Sequence, residues 1–260
     1  MSATAASLWS AARADLAVFF GHIDGAEVRV RGNALLGITG GPTADFNMSL
    51  LDEGPDDVAI LEEFVGRMTA MDLPGLFMMS SAAGRRLGPI AAARGLVDAG
   101  TAPLMARPAT ALGGPSADFA IERVTDSAGM AIVNDLAASA FGMDPTWCGR
   151  TFASPSLLGA PGVEFFLARR GDEPMSTVAT TGTGATIGIW SMATPLEKQR
   201  QGAGRAALLA AMDYHQKRGA ETFYLCATEA GKPLYDSLGF KTVDDIPIWV
   251  VGHSEQFGGH

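Results

Sequence analysis

The stretch Ser191–Arg205, SMATPLEKQRQGAGR, decides how the chain is read. It leaves an apolar strand, passes through a charged segment and ends in a glycine loop that opens a helix. Beyond it Ala206, Leu208, Leu209, Ala211, Met212 and Tyr214 recur at helical spacing up to a stop at Gly219. The first helical turn therefore falls at Gly202 to Arg205. A helix N-terminus leaves backbone N–H groups without partners, and glycines, lacking Cβ, let a phosphate approach them closely. The spacing predicts an anion site there, although a GxG taken alone is equally a device for shaping a loop.

Composition bounds the rest. With 260 residues, 47% of them hydrophobic, the chain can bury one large core or two modest ones and reads as a globular protein. A formal charge of −9, with no Lys/Arg cluster, excludes a nucleic-acid groove, which needs a basic face to replace phosphate counterions. Arg169 with Arg170 reads as a solvated pair ending a strand. The two cysteines, Cys148 and Cys226, have neither the spacing nor the histidine company of a metal site, so buried thiols in a reducing cytoplasm are expected and no metal. The first twenty residues lack a cationic leader and carry Arg13 and Asp15 inside an apolar run; they read as an amphipathic helix rather than an export signal or a membrane span.

In chain order, short strands are expected at 26–30, 34–37 and 45–51, then a helix at 56–71 opened by Pro55, a strand at 76–80, a helix at 82–94 and a strand at 101–106. The segment 107–118, RPATALGGPSAD, is the best linker candidate. From Phe119 the order begins again: a strand at 119–123, helices at 127–141 and 145–152, strands at 163–169, 175–181 and 186–192, the glycine-loop helix, a strand at 222–227, a helix at 232–238 and a strand at 247–251. The tail to His260 has no pattern.

The halves share an order, and one local detail marks a repeat. Gly95 is followed by Leu96 and then Pro103 with an apolar run, as Gly239 is followed by Phe240 and then Pro247 with an apolar run. The N-terminal counterpart of the glycine loop is Asp52–Asp57, DEGPDD, whose four carboxylates would repel a phosphate and whose Pro55 removes a donor. That half is expected not to bind the same ligand.

Two templates compete for the glycine loop. Gly202, Gly204 and Ala207 match the dinucleotide fingerprint GxGxxG/A, with Glu229 at the end of the next strand as a ribose-binding acid. A Rossmann loop, however, turns directly out of its strand, whereas Thr194 to Gln201 intervene here, and too little chain follows to complete a doubly wound sheet. The second template uses the intervening residues. Gln199, Gly202 and Gly204 give Q/R-x-x-G-x-G/A, and MATPLEKQRQGAGRAALLAAM resembles the acyl-CoA-binding motif of the GNAT superfamily of N-acyltransferases. Ala230–Phe240, AGKPLYDSLGF, is similar to the family's short helix carrying a tyrosine before a Gly-Phe stop. Both motifs lie within the resemblance, which runs from Phe119 to Val251.

The resemblance implies an α/β fold of mixed-sheet (α+β) type, with two GNAT-like lobes, each a central mixed β-sheet flanked by helices. Residues 1–110 would be a degenerate N-terminal domain and 118–252 the catalytic one. It implies acetyl transfer from acetyl-CoA, as cosubstrate, to a primary amine of a small molecule or peptide. Backbone N–H groups of Gln201, Gly202, Ala203, Gly204 and Arg205 would cradle the CoA pyrophosphate, flanked by Gln199 and Arg200, and the strand edge at Met192, Ala193 and Thr194 would pair with pantetheine. The N–H of Met192 would stabilise the oxyanion, and Tyr235 would act as general acid toward the departing thiolate.

A phenol of pKa about 10 facing a thiol of about 8.5 makes full transfer uphill by roughly 2 kcal/mol, so a hydrogen bond to the thiolate is the safer role for Tyr235, and packing with Leu234 and Leu238 is its structural alternative. Many relatives carry a glutamate on the strand before the loop; here TIGIWSMA (186–193) offers none, and a water chain, Ser191 or Glu229 stand as substitutes. That gap leaves open a CoA-binding sensor or interaction protein without turnover. His215 reads as a surface or packing residue. Met48, Met78, Met79, Met175 and Met192 read as core filler, while Met192 and Trp190 flank the expected acceptor site. The acidic balance favours a cationic acceptor, and the resemblance leaves a homodimer open.

Overall fold

The computed structural model describes residues 4–110 and 118–252. The N-terminal lobe begins with α1 (Ala5–Gly21), capped by Thr4, whose side chain accepts from the Ser7 N–H. Its buried face is Leu8, Trp9, Ala12, Leu16, Phe19 and Phe20. There follow β1 (Glu27–Arg31), β2 (Ala34–Ile38), β3 (Asn47–Leu51), α2 (Asp57–Met71), β4 (Gly75–Met79), α3 (Ser81–Ala93) and β5 (Val97–Pro108). The C-terminal lobe runs β6 (Ala120–Arg123), α4 (Ser127–Phe141), α5 (Pro145–Arg150), β7 (Glu164–Arg170), β8 (Glu173–Thr181), β9 (Thr186–Ala193), α6 (Ala203–Gln216), β10 (Thr222–Cys226), α7 (Lys232–Ser237) and β11 (Lys241–Val251).

The eleven strands of the described residues form one mixed sheet in the order β1-β2-β3-β4-β11-β5-β10-β9-β8-β7-β6. Only β3–β4 and β9–β10 pair in parallel; every other neighbour is antiparallel. That pattern removes the dinucleotide template, because a doubly wound sheet is parallel through its centre.

The lobes interlock at the middle. The last strand of each, β5 and β11, crosses over: β11 lies between β4 and β5, and β5 between β11 and β10. The repeat read from Gly95 and Gly239 is visible in this exchange. Both glycines end their helix in the left-handed region, at φ 83 and 84. The register pairs Thr101 with Pro247 and Pro103 with Asp245, two contacts that interchange when Gly95 is laid on Gly239. A local two-fold axis therefore passes between β5 and β11.

The crossing explains where the strands outgrow their expected lengths. Asp98, Gly100 and Asp245 are not strand formers, but β5 has a partner on both sides and β11 pairs with β4 and β5 along its C-terminal half, so the ladder overrides propensity. It also corrects the start of the expected linker. Arg107 and Pro108 belong to β5, and the buried Arg107 guanidinium donates to Leu238 O at 2.6 Å. Residues 111–117 of that segment, and the tail from 253, lie outside the described residues.

Helices cover both faces. On one, α6 and α7 pack Leu208, Met212, Tyr235 and Leu238 onto Phe223, Leu225 and Ile187. The other carries α1 and α4 over Leu50, Met78, Leu104, Tyr224 and Ile246, residues drawn from both lobes. Each aromatic or aliphatic side chain fully buried here is worth roughly 1.5–3 kcal/mol. The α1 layer thus fastens the lobes together. A third cluster, Leu61, Phe64, Phe77 and Leu87 among it, fills the space beneath α2 and α3.

Candidate active site

The parallel pair β9–β10 is joined only at its start, from Thr186↔Thr222 to Gly188↔Tyr224. Beyond that point the two strands separate. On its other side β9 carries a bulge: Ala179 pairs with Trp190 and Thr177 with Ala193, so Ser191 and Met192 together oppose Val178. Ser191 takes a left-handed φ of 45, a strained setting for a non-glycine residue inside a strand. Met192 has a register partner in neither ladder.

The loop after β9 is tied down before it reaches the helix. Ser176 Oγ donates to Ala193 O at 3.0 Å and lies 2.7 Å from Thr194 Oγ1. A short 3-10 turn at Leu196–Lys198 follows, Lys198 Nζ donating to Pro174 O at 2.7 Å and pairing with Glu173. Gln199 Nε2 donates to Thr194 O at 3.1 Å, so this side chain braces the loop from within. Arg200 is exposed at φ 60. Gln201 Oε1 accepts from Arg170 at 2.6 Å, and that guanidinium stacks 5.0 Å over the Phe119 ring.

Gly202 is the N-cap of α6 at φ 89, a conformation that costs glycine nothing. It has no side chain to satisfy the helix end. Ala206 N–H is the first taken into the ladder, by Gly202 O at 3.0 Å, which leaves the N–H groups of Gly202, Ala203, Gly204 and Arg205 outside it. A Cβ on Gly204 would lie 3.2 Å from Thr194 Oγ1 and 3.7 Å from Met192 Cε. The absence of that carbon keeps the first turn against the end of β9. Arg205 reaches across to Ser237 Oγ at 3.0 Å, joining α6 to α7. The start of α6 thus offers four amides outside the helical ladder, with Arg200 exposed on the loop before them.

Tyr235 closes the other side of the crevice. It is buried, its ring edge-on to Phe240 at 5.8 Å and its hydroxyl 3.9 Å from Met192 Sδ. Burial, with a smaller contribution from the nearby Cys226, pushes its phenol up to about 12. The hydroxyl is therefore a persistent proton donor and a poor source of a free proton.

Opposite the Met192–Tyr235 pair, on the α1 face of the sheet, the core leaves a small apolar gap of about 10 Å³. Trp190, Tyr224 and Cys226 form its floor in the C-terminal lobe, and Leu8, Trp9 and Ala12 of α1 form its roof. Behind this floor Tyr224 donates to Asp15 Oδ2 at 3.0 Å, Thr181 Oγ1 donates to the same oxygen at 3.4 Å, and Trp190 Nε1 donates to Thr181 Oγ1 at 2.8 Å. Burial raises the Asp15 carboxyl to about 6, against the two hydrogen bonds that lower it. The buried Asp15 network was not legible in the sequence. The one sequence signal was a carboxylate within the apolar run of α1, which reads equally as an amphipathic face.

The remaining candidates fall elsewhere. Glu229 is exposed on the turn after β10, and Ser191 is half-buried at the bulge. His215 is a packing residue: it is 6% exposed, sits 2.7 Å from Thr180 Oγ1, and burial lowers it to about 4. Met48, Met78, Met79 and Met175 pack in the three cores. Cys148 is buried and Cys226 half-buried, and burial pushes both thiols up, to about 11 and about 12.

Two interlocked mixed-sheet lobes, one of them split beside a glycine-capped helix, define the fold. Residues 131–240 match the model of the acetyltransferase (GNAT) family. No curated protein matches the chain. Among solved structures it is similar to a GCN5-related N-acetyltransferase from Kribbella flavida, at 19% identity and TM-score 0.70, over 94% of this chain and 96% of that one. It is also similar to a tandem GNAT protein from the clavulanic acid biosynthesis pathway, at 16% identity and TM-score 0.57, over 89% and 85%. A third likeness, at 15% identity and TM-score 0.57, is to a GCN5-related N-acetyltransferase from Sphaerobacter thermophilus, over 86% and 79%. These likenesses extend the GNAT fold to the whole chain as a tandem. Among the described residues no helix is long and apolar enough to cross a membrane.

Proposed function

We propose that the chain transfers the acetyl group of acetyl-CoA to a primary amine, with residues 118–252 catalytic and residues 1–110 a degenerate copy that roofs the acceptor side. The observation that carries this reading is the opening between β9 and β10 directly beside four unladdered amides at the start of α6. Those amides, with Gln201, Arg200 and Arg205, hold the pyrophosphate. Met192, Ala193 and Thr194 offer the free edge of β9 to the pantetheine arm, and Gln199 keeps the loop in shape.

The reaction forms an N–C bond and breaks a C–S bond. The acceptor amine, arriving neutral or losing its proton to water, attacks the thioester carbonyl. The Met192 N–H, at the bulge beyond the point where β9 parts from β10, is the donor offered to the developing oxyanion. Tyr235 donates a hydrogen bond to the departing thiolate and keeps its proton, since a phenol near 12 is a weaker acid than the thiol it serves. The thiolate then takes its proton from solvent.

Release of free thiol from acetyl-CoA in the presence of an amine panel tests this, together with calorimetric binding of acetyl-CoA. Transfer to at least one amine, with tight binding lost in Gly204→Val, is the expected result. Binding without release on any amine would leave the protein a CoA-binding sensor.

A further inference from the structure

A pocket of about 140 Å³ lies at the far end of α6, between the last turn of that helix, the start of β7 and the turn joining β8 to β9. Glu164, Thr183, Gly184, His215 and Arg218 are among its lining residues. The 14 residues of α6 rise about 1.5 Å each, so this end lies roughly 20 Å from the amides at the helix start. A Cβ on Gly162 would lie 2.8 Å from the Gly182 carbonyl carbon, so the absence of side chains at these two lining positions lets the turns touch. A cavity of this volume admits roughly six heavy atoms, the size of benzene.

The lining carries both signs of charge, and neither is used up. Glu164 Oε1 accepts from Tyr214 at 3.1 Å and Oε2 from Arg123 at 2.9 Å, which leaves about two of a carboxylate's roughly four acceptor positions. Among the described residues Arg218 has no carboxylate partner. Its Nη1 donates to Tyr214 O at 2.9 Å and its guanidinium lies 3.5 Å from the Tyr214 ring centroid, a stack that fixes the fork and leaves its other N–H groups free. The N–H groups of Thr183 and Gly184 make no hydrogen bond to the described residues. His215 is 6% exposed; its Nε2 sits 2.7 Å from Thr180 Oγ1, which itself donates to Glu164 O at 3.5 Å. Nε2 therefore carries the imidazole proton and Nδ1 a lone pair. Burial lowers the ring to about 4 and keeps it neutral. Nδ1 has no partner among the described residues and is not sealed in the core, so it is reached through the pocket. A bare acceptor on so buried a residue calls for a donor.

We propose that this pocket binds a small zwitterionic α-amino acid, of the size of glycine, alanine or serine. Glu164 and Arg218 line the same space without pairing to each other, and the zwitterion joins them. Its carboxylate lies on the Arg218 fork and the Thr183 and Gly184 amides, and its ammonium donates to Glu164 and to Nδ1 of His215. A ligand with one charge leaves either the guanidinium or the acceptors unanswered, and a long side chain exceeds the volume. The pocket is at the opposite end of α6 from the β9–β10 opening, so this ligand is not the acetyl acceptor, and the proposal stands apart from the acetyltransferase reading.

Calorimetry on the whole chain tests it, with L-alanine as the probe against acetate, ethylamine and L-leucine. Alanine is expected to bind once per chain with Kd below about 1 mM, and the other three at least about tenfold more weakly. Arg218→Gln, an exposed change whose thermal melt without ligand is expected to match wild type, weakens alanine at least about tenfold. Glu164→Gln weakens it only about threefold, since Arg123 already shares that carboxylate. In nitrogen-15-labelled protein the His215 Nδ1 resonance moves on adding alanine. Gly204→Val, aimed at the start of α6, leaves alanine binding unchanged. Absence of both heat and a His215 shift at about 10 mM alanine, equal affinity for acetate, ethylamine or leucine, or unchanged affinity in Arg218→Gln overturns the proposal. Loss of alanine binding in Gly204→Val overturns it as well, because the amino acid would then sit in the β9–β10 opening.

Discussion

The two parallel strand pairs were built from one plan and ended differently. In the C-terminal lobe β9 and β10 stay together for three residue pairs and then part, and the chain takes Thr194 to Gly202 to reach its helix. Their counterparts β3 and β4 pair from Met48↔Leu76 to Leu51↔Met79, the last residue of each strand, and the Ser80 N–H extends the closure by donating to Leu51 O at 2.9 Å. The second loop is also shorter, Asp52 to Asp56. One crevice is held open by a bulge and a glycine cap; the other is zipped shut. The helix ends differ in the same sense. Four bare amides begin α6, whereas α2 begins with its own buried carboxylate, Asp57, paired to Arg86. The lobe that supplies its own anion has no use for a foreign one.

The sharpest way to break this contrast is to close the open crevice. Gly204→Val places branched carbons where even a Cβ would meet Thr194 Oγ1 at 3.2 Å, pushing the first turn of α6 off β9 and covering its amides. The expected result is a roughly 1,000-fold loss of acetyl-CoA affinity, about 4 kcal/mol, measured by calorimetry. Retention of affinity within tenfold would mean that the ligand is held somewhere else.

Next in size is the tyrosine that only one lobe has, since Ala91 occupies the matching place in α3. Tyr235→Phe keeps the ring against Phe240 and removes the donor to the thiolate. A fall of about 100-fold in kcat, about 2.7 kcal/mol, is expected with KM for acetyl-CoA unchanged. Because the folded phenol titrates near 12, its donor is present below that pH, and the rate profile carries no descending limb from Tyr235 up to about pH 10. A limb near pH 9 belonging to this residue in wild type, and absent from the variant, would contradict the hydrogen-bond role.

A third measurement addresses how the closed lobe serves the open one, through Asp15. Its carboxyl is raised from 3.8 to about 6, so the folded protein holds that proton more tightly than the unfolded chain does. Its contribution is therefore greatest in acid, declines as pH rises from about 4 to 6, and is a standing penalty above 6. The shift converts to about 3 kcal/mol, and the part of the side chain open to solvent reduces it to about 2. Asp15→Asn should accordingly be more stable than wild type by about 2 kcal/mol at pH 8 and by nearly nothing at pH 4, as read from urea melts at both. Equal stabilities at pH 8 would show that Tyr224 and Thr181 already compensate the buried charge.

Much of this was legible in the chain. The order of elements, the repeat marked by Gly95 and Gly239, and the place of the glycine loop rest on local signals: helical spacing, turn glycines and caps. What was hidden depends on contacts far apart in sequence. Residues 97–100 carry Asp98, Gly100 and exposed positions and do not read as strand; they are strand because β11 pairs with them. The core shared by the lobes assembles residues from α1 to β11, and a Trp9–Asp244 hydrogen bond across 235 positions leaves no periodicity to find. The splay of β9 from β10 is likewise a property of pairing. Met192 was assigned from the motif, but the bulge that takes it out of register rests on Ser191, a residue type that gives no warning of positive φ.

The smallest expected effect tests the closed lobe from within. Asp57 is buried at the first position of α2, and its partner Arg86 is half-exposed. Breaking a buried pair is costly when it strands a buried charge, but this guanidinium can turn to water, so Asp57→Asn should lose only about 1 kcal/mol of stability. Its effect on acetyl-CoA should be smaller still, less than about twofold in Kd or roughly 0.4 kcal/mol, because β3 and β4 remain paired to their ends whatever charge sits on the helix. If removing the charge instead created a second acetyl-CoA site, seen as a stoichiometry approaching two in the calorimeter, electrostatic repulsion alone would have kept the N-terminal lobe silent. A stoichiometry that stays at one assigns the silence to the closed strand pair, which no single side chain can reopen.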